Sequence, residues 1–437
     1  MDDGRVERTD AVDQPRIAPT TAKQRFGAID TLRGFALLGI LVPNIWAFGW
    51  PMMATTDPSI ISDAPANQLA HQVTGMAFLG KFMFLFAMLF GSGVVMYARK
   101  YDSAADPVGA DGVRARKTPL SRGAGLWYLR CGILLCFGLI HAYCFWFGDI
   151  LTFYAISGLT LVWWVRRLNP KLQFFGGLGL YFFGAGLMVA FSYLGYWSLE
   201  NGNATQEQLS ANPEIEIQGY LGSYWDAFRT RFFTTLLFQL IFTIFFMPAL
   251  WGLMTMGMGL TRMKILTGER SVGFYAISAL VLLAVGVPTT VLMYSFVEHA
   301  FPLMPGFMWQ ALAQPVGVMQ ALGYAALVLL LAKLDWAKIV TVPLAAVGRM
   351  ALTNYFMHTL LCTTFFYGYG FGKFASIEFP QLWLVVGSVW TINIVFSLLW
   401  LRVFSMGPFE WLWRSLTYRQ LVPIVRRPAR DSAHSDA

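Results

Sequence analysis

The sequence predicts an all-α fold, a polytopic transmembrane helix bundle of about ten spans with both termini cytoplasmic. Three observations carry that prediction. Hydrophobic residues fill 56% of the 437 positions and charged residues only 13%, about half the charged share of a soluble domain. The apolar residues fall in runs of about 20, the length that carries a helix across a hydrocarbon core. Between the runs, Arg and Lys gather in alternate connections, the asymmetry that sets membrane orientation.

In chain order, residues 1–25 are polar and mixed in charge, lack an apolar core and read as a cytoplasmic tail rather than a cleaved leader. The bundle occupies 26–404. Its apolar runs lie at 26–50, 75–97, 126–145, 150–164, 172–197, 232–260, 272–297, 307–331, 344–367 and 382–404. Each reads as a helix, because lipid offers no partner to a bare backbone. The fourth is short and opens after Asp149, and two others are long enough to require tilt or a bend. Residues 405–437 form a cytoplasmic tail that begins with "GPFEWLWRSLTYRQ". Pro408 suits a first helical turn, and Trp411, Trp413 and Leu416 supply an apolar side for an interfacial helix. "GYLGSYWDAFRTR", before the sixth run, is a second segment for the membrane surface; either stretch reads equally as a loop.

Charge supports the topology. The connections assigned to the cytoplasm hold Arg99, Arg114, Arg116, Lys117, Arg166, Arg167, Arg262, Lys264 and Lys333, and the tail adds Arg414, Arg419, Arg426, Arg427 and Arg430. The opposite loops hold Asp57, Asp63, Glu200, Glu207, Glu214, Glu216 and Glu298. Arg229, Arg231 and Lys373 depart from this pattern. The net charge of +8 therefore reflects membrane orientation and not nucleic-acid binding. The four cysteines, Cys131, Cys136, Cys144 and Cys362, lack zinc spacing and read as buried small hydrophobes. No Walker loop, HExxH, GxSxG or metal-ligand spacing is present, so no metal is expected. The expected setting is the cytoplasmic (inner) membrane of a bacterium.

An ionisable side chain at mid-bilayer costs at least about 2.5–3.5 kcal/mol, so each one asks for a reason. In "HAYCFWFGDIL" a tight connection brings His141 and Asp149 together. A carboxylate that orients an imidazole raises its basicity, as a general base requires; alternatively Asp149 caps the next helix, and the two roles are compatible. In "GRMALTNYFMH" Asn354 and His358 share one helix face, suited either to chemistry or to interhelical hydrogen bonding, the better reading for Thr353 and Tyr355. Asn44 lies within the first run. Asp30 and Arg33, three apart in "IDTLRG", pair on one face. Arg33, Arg130 and Arg349 lie at similar depth on three spans, either as snorkelling side chains or as a pocket whose planar forks hold phosphate. Lys81 reads as snorkelling, and His71 as a solvated loop residue.

The stretches "IDTLRGFALLGILVPNI", "KFMFLFAMLFGSG", "LRCGILLCFGLIHAYCFWFGDILTFYAISG" and "GRMALTNYFMHTLL…YGYG" resemble the YeiB family, also called DUF418, in order and spacing over roughly 25–420. Through it, the first span is similar to those of transmembrane acyltransferases, the heparan-α-glucosaminide N-acetyltransferase and acyltransferase-3 groups. That likeness rests on Asp30, Arg33 and Asn44. The lysosomal enzyme's histidine corresponds only loosely to His71, whereas His141 and Asp149 match the YeiB family's own motif. The resemblance implies an acyltransferase that takes an acyl group from cytosolic acyl-CoA to a sugar, or another hydroxyl or amine, at the outer side. Arg33, Arg130, Arg349 and Asp30 would form the donor site, and His141, Asp149, His358, Asn354 and Asn44 the reacting site. Membrane lipid and a small-molecule donor and acceptor are the implied partners. The alternative is a transporter or exporter of a small metabolite or anion lined by the same groups.

Overall fold

In the computed structural model, residues 27–55, 64–102, 119–203, 212–300 and 306–426 are described. The assigned tail 1–25 and residues 427–437 lie outside them, as do Asp57, Asp63, Arg114, Arg116, Lys117, Glu207, Arg427 and Arg430. The fold is an all-α membrane bundle. Among the described residues the only extended pairing is one isolated bridge, Phe404 to Val425.

The helices are α1 (Gly27–Gly49), α2 (Pro65–Ala77), α3 (Lys81–Asp102), α4 (Pro119–Ile140), α5 (Leu151–Leu159), the single turn α6 (Val162–Val165) and α7 (Pro170–Glu200). Then come α8 (Pro213–Leu221), α9 (Tyr224–Phe245), α10 (Met247–Arg262), α11 (Val272–Ala300), α12 (Gly306–Leu331), α13 (Lys338–Arg349), α14 (Ala351–Phe366), α15 (Phe379–Val403) and α16 (Pro408–Tyr418).

Among the described residues seven helical stretches are long and apolar enough to cross a bilayer, and an eighth forms if Val316–Leu331 and Asp335–Arg349, bent by 106°, count as one. The ten expected runs differ from this where the backbone breaks. The fourth splits into α5 and α6 at Thr160 and Leu161; the sixth splits at Phe246, just before Pro248. The ninth breaks at Met350, where α14 starts afresh. Apolar content alone does not report such breaks, because both halves stay greasy.

The bundle is inverted relative to a soluble protein only at its rim. α7, α9, α11 and α15 turn Phe, Leu and Val side chains outward, the surface a bilayer covers. α10 is the reverse, buried along almost its whole length between α3 and α7. α1 is equally central and packs along α13. Their backbones touch: a Cβ on Gly34 would collide with the Leu344 carbonyl, and one on Gly348 with that of Asp30. Small residues allow that approach where lipid supplies no hydrophobic drive for association.

Both segments assigned to the surface are helical and docked. "GYLGSYWDAFRTR" ends α8 and starts α9, with a capping box between Ser223 and Asp226. α16 is anchored by Glu410, which accepts from the Leu352 and Thr353 amides at 2.6 and 3.2 Å, and so caps α14 from outside. Trp413 donates to the Arg130 carbonyl at 2.9 Å.

Candidate functional site

α4 does not end as an α-helix. Its last turn, His141–Phe145, widens to a π-helix, a distortion found often at functional sites. A widened C-terminal turn leaves carbonyls without partners, and α9 supplies them. Arg231, fully buried, donates from Nε to Tyr143 O at 3.0 Å, from Nη2 to Cys144 O at 2.8 Å and from Nη1 to Phe145 O at 2.8 Å. Tyr224 adds a bond to Cys144 O at 3.0 Å. One of the three residues that depart from the charge pattern, Arg231, is thus a structural clamp on the His141 turn.

The clamp holds His141 against Asp149. Nδ1 lies 3.1 Å from Asp149 Oδ1, off the N–H axis, so the contact is electrostatic more than a linear hydrogen bond. On the other side Nε2 is 2.7 Å from Thr359 Oγ1. A proton on Nδ1, which the carboxylate favours, leaves Nε2 to accept the threonine hydroxyl. Asp149 does both things its sequence position allowed. Its Oδ2 accepts the Thr152 amide at 2.7 Å as a cap on α5, while Oδ1 meets His141 and accepts the Tyr355 hydroxyl at 3.3 Å. That hydroxyl in turn accepts from the Ile150 amide at 3.2 Å. Carboxylate, imidazole and hydroxyl form one buried row, Asp149–His141–Thr359.

A cavity of about 260 Å³ adjoins this row. Its wall is built from α1 between Ile40 and Ala47, the break between α2 and α3, residues 146–150, and Phe238 and Phe242 of α9. Asn44, Lys81 and Asp149 are on that wall; His141 lies one residue layer behind it. Asn44 is half-buried, and its carboxamide has no protein partner among the described residues. Lys81 does not snorkel. It is buried at the first position of α3 and donates to Gly75 O at 2.9 Å.

The arginines lie at another end of α1. Arg33 Nη1 pairs with Asp30 Oδ1 at 3.1 Å. Arg130 lies near enough to feel the Arg33 charge, and its guanidinium stacks 3.7 Å from the Trp413 ring centre. Arg349 donates to Ser405 O at 3.3 Å and follows Gly348, which packs on the Asp30 carbonyl. None of the three lines the cavity.

The other candidates, Asn354 and His358, neighbour Tyr355 and Thr359 on α14, but among the described residues they make no hydrogen bond to His141 or Asp149. Asn354 Nδ2 donates to Val347 O at 3.1 Å and to Ser397 Oγ at 2.8 Å, the geometry of interhelical bonding. His358 is buried and its Nε2 has no protein partner. Two expectations are corrected besides Lys81. His71 is not solvated: it is buried within α2 and stacks on Trp46 with ring centres 4.4 Å apart. Cys136 is exposed and Cys144 only half-buried where burial was expected of all four cysteines; the face of α4 that carries Cys136 turns outward among apolar neighbours. Among the described residues no cluster of His, Cys, Asp and Glu fits a metal ion. The sequence marks Arg231 only as a departure from the charge pattern and Tyr355 only as a hydrogen-bonding group between helices, and nothing in it singles out Thr359. Tyr355 and Thr359 are four apart and share a face, and Arg231 is, with Arg229, one of two cations beside a loop that otherwise carries acids.

Residues 260–420 match the family described as "Protein of unknown function (DUF418)". The chain is similar to the uncharacterized protein YeiB of Escherichia coli (strain K12), 32% identical over 421 residues that cover 93% of this chain and 100% of the relative. It is similar also to the uncharacterized protein YxaH of Bacillus subtilis (strain 168), 28% identical over 429 residues, 94% of this chain and 98% of the relative. Matched along its length to a bacterial relative at that identity, this membrane protein belongs to the YeiB/DUF418 family.

Proposed function

We propose that the chain is a membrane-embedded acyltransferase of the bacterial cytoplasmic membrane, carrying an acyl group from cytosolic acyl-CoA to a hydroxyl or amine acceptor in the Asn44 cavity. The observation that supports it most is the Asp149–His141–Thr359 row behind the cavity wall. Hydroxyl, imidazole and carboxylate in that order serve acyl transfer on several unrelated folds. Here the acceptor oxygen or nitrogen attacks the thioester carbonyl as its proton passes to the Thr359 hydroxyl, which gives its own proton to Nε2 of His141, and Asp149 steadies the imidazolium that forms. The tetrahedral intermediate then expels the CoA thiolate, which takes that proton back. Asn44, with its amide uncommitted, donates to the oxyanion; one such donor is worth about 2.7–4 kcal/mol in other enzymes.

The donor site is the Asp30, Arg33, Arg130 and Arg349 region, where planar guanidinium groups suit the phosphates of CoA. From Arg33 to Asn44 is eleven residues of one helix, about 16 Å, a span that an extended pantetheine arm matches. His358 and Asn354 stand outside this route. The test is binding of acetyl-CoA and octanoyl-CoA to the full chain in nanodiscs. Arg33→Ala and Arg130→Ala should each weaken it at least tenfold. No binding of either thioester to the wild type would falsify the proposal.

One observation favours a second reading, transport of a small metabolite. α2 and α3 are halves of one apolar stretch, Pro65–Arg99, broken beside the cavity at Gly80, whose φ of 80° suits glycine. Broken helices near mid-membrane build the binding sites of many transporters. Flux through proteoliposomes without consumption of acyl-CoA would select this reading.

A further inference from the structure

We infer that the ligand of the Asn44 cavity carries an anionic headgroup, a carboxylate or a phosphate, seated on Lys81 and Asn44 with an apolar body among the surrounding rings. The inference rests on the reading of this cavity as the working site, and names the class of molecule that enters it.

Lys81 is the reason. Its side chain is only 3% exposed, yet it lies on a cavity wall. One of its three donors reaches the Gly75 carbonyl, which leaves two for another acceptor. No carboxylate pairs with it among the described residues. The acid on the same wall, Asp149, is already committed to His141, Tyr355 and the Thr152 amide. A buried ammonium without a counter-ion is costly, and such groups are paired in stable proteins. Here the missing partner has a place to sit, because the cavity adjoins the ammonium.

The rest of the wall agrees with an anion. Asn44 adds two amide donors with no protein acceptor. Gly80, Lys81, Phe82 and Met83 bring the start of the 22-residue helix α3 to the cavity, the end where backbone N–H groups and the helix dipole favour negative charge. Most of the remaining lining is apolar, including Phe78, Trp146, Phe147 and Phe153. The volume is below the roughly 300–1,000 Å³ of drug-sized sites, so the ligand is a small amphiphilic anion and not a polysaccharide chain.

The experiment measures saturable binding of benzoate, phenyl phosphate and benzyl alcohol to the full chain in nanodiscs. Benzoate or phenyl phosphate should bind and the uncharged alcohol should bind at least tenfold more weakly; the better anion identifies the headgroup. Lys81→Met should lose the anion preference, Lys81→Arg should retain it, and Asn44→Ala should weaken it. Equal binding of benzoate and benzyl alcohol, or anion binding unchanged in a folded Lys81→Met, overturns the inference and leaves acyl transfer standing. So does a wild type that binds none of the three while still turning over acyl-CoA. Anion binding in a protein that consumes no acyl-CoA sustains the inference and removes the acyl-transfer reading.

Discussion

Arg231 Nη1 holds the carbonyl of Phe145 at 2.8 Å, and the same guanidinium plane serves Cys144 and Tyr143. Three successive carbonyls at a distorted helix end are thereby satisfied by one side chain from α9. The His141 turn exists in this shape because Arg231 is there.

Replacing Arg231 with Met should therefore cost about 3–5 kcal/mol, the scale for removing one member of a buried charged arrangement. Arg231→Lys should fall between, since one ammonium cannot serve three carbonyls as a planar fork does. Melting of the purified protein in detergent checks both. A Met variant as stable as the wild type would mean that the turn is held by something else.

Asp149 joins two jobs that substitution can separate. Asn keeps an oxygen for the Thr152 amide but loses the charge beside His141. Asp149→Asn should melt close to the wild type and lose activity, whereas Asp149→Ala should lose both activity and the cap, about 0.5–2 kcal/mol. If Asn and Ala melt alike, Asp149 is not acting as a cap.

Much of this was legible in the chain itself. Runs of apolar residues and the side on which Arg and Lys collect gave the membrane bundle, and the tight "HAYCFWFGDIL" connection brought His141 to Asp149. What escaped depends on partners distant in sequence. Arg231 acts across 86 residues on Phe145, and Thr359 across 218 on His141; no local pattern carries such pairings. Lys81 escaped because it stands at a helix boundary, where exposure is decided by what packs against the break, and His71 because the stretch read as a loop is the helix α2, whose inner face packs on Trp46. The split of the sixth run at Phe246 was hidden for the same reason that its helices are apolar throughout.

Glu216, outside the spans on α8, is buried and accepts the Met52 amide at 2.9 Å. Burial pushes its carboxyl above the ordinary value of 4.5, with the Met52 bond opposing. The folded chain then binds this proton more tightly than the unfolded one. Its contribution to stability is present below the ordinary value and is lost as pH rises through the raised one. Glu216→Gln should flatten the fall in melting temperature between acidic and neutral pH. An identical slope in the variant would remove Glu216 from the account.

Asn393 on α15 is buried with neither amide atom bonded to protein. It lies one turn from Ser397, which pairs with Asn354, so the register places it level with His358 of α14. Removing an unpaired polar group in favour of an apolar one of similar size is near neutral or stabilising. Asn393→Leu should therefore change stability by no more than about 0.5 kcal/mol or raise it. A marked drop in melting temperature would place a bound polar group against Asn393 and His358 instead.

The most direct measurement is release of free CoA from acetyl-CoA and octanoyl-CoA by the full chain in nanodiscs, supplied with a bacterial cell-envelope extract as acceptor. Wild type should consume at least one thioester, and His141→Ala should slow it by about 10²–10⁴-fold, the range for losing a general base, while still binding the donor. No turnover of either thioester, or equal turnover in wild type and His141→Ala, would contradict a base at His141 serving acyl transfer.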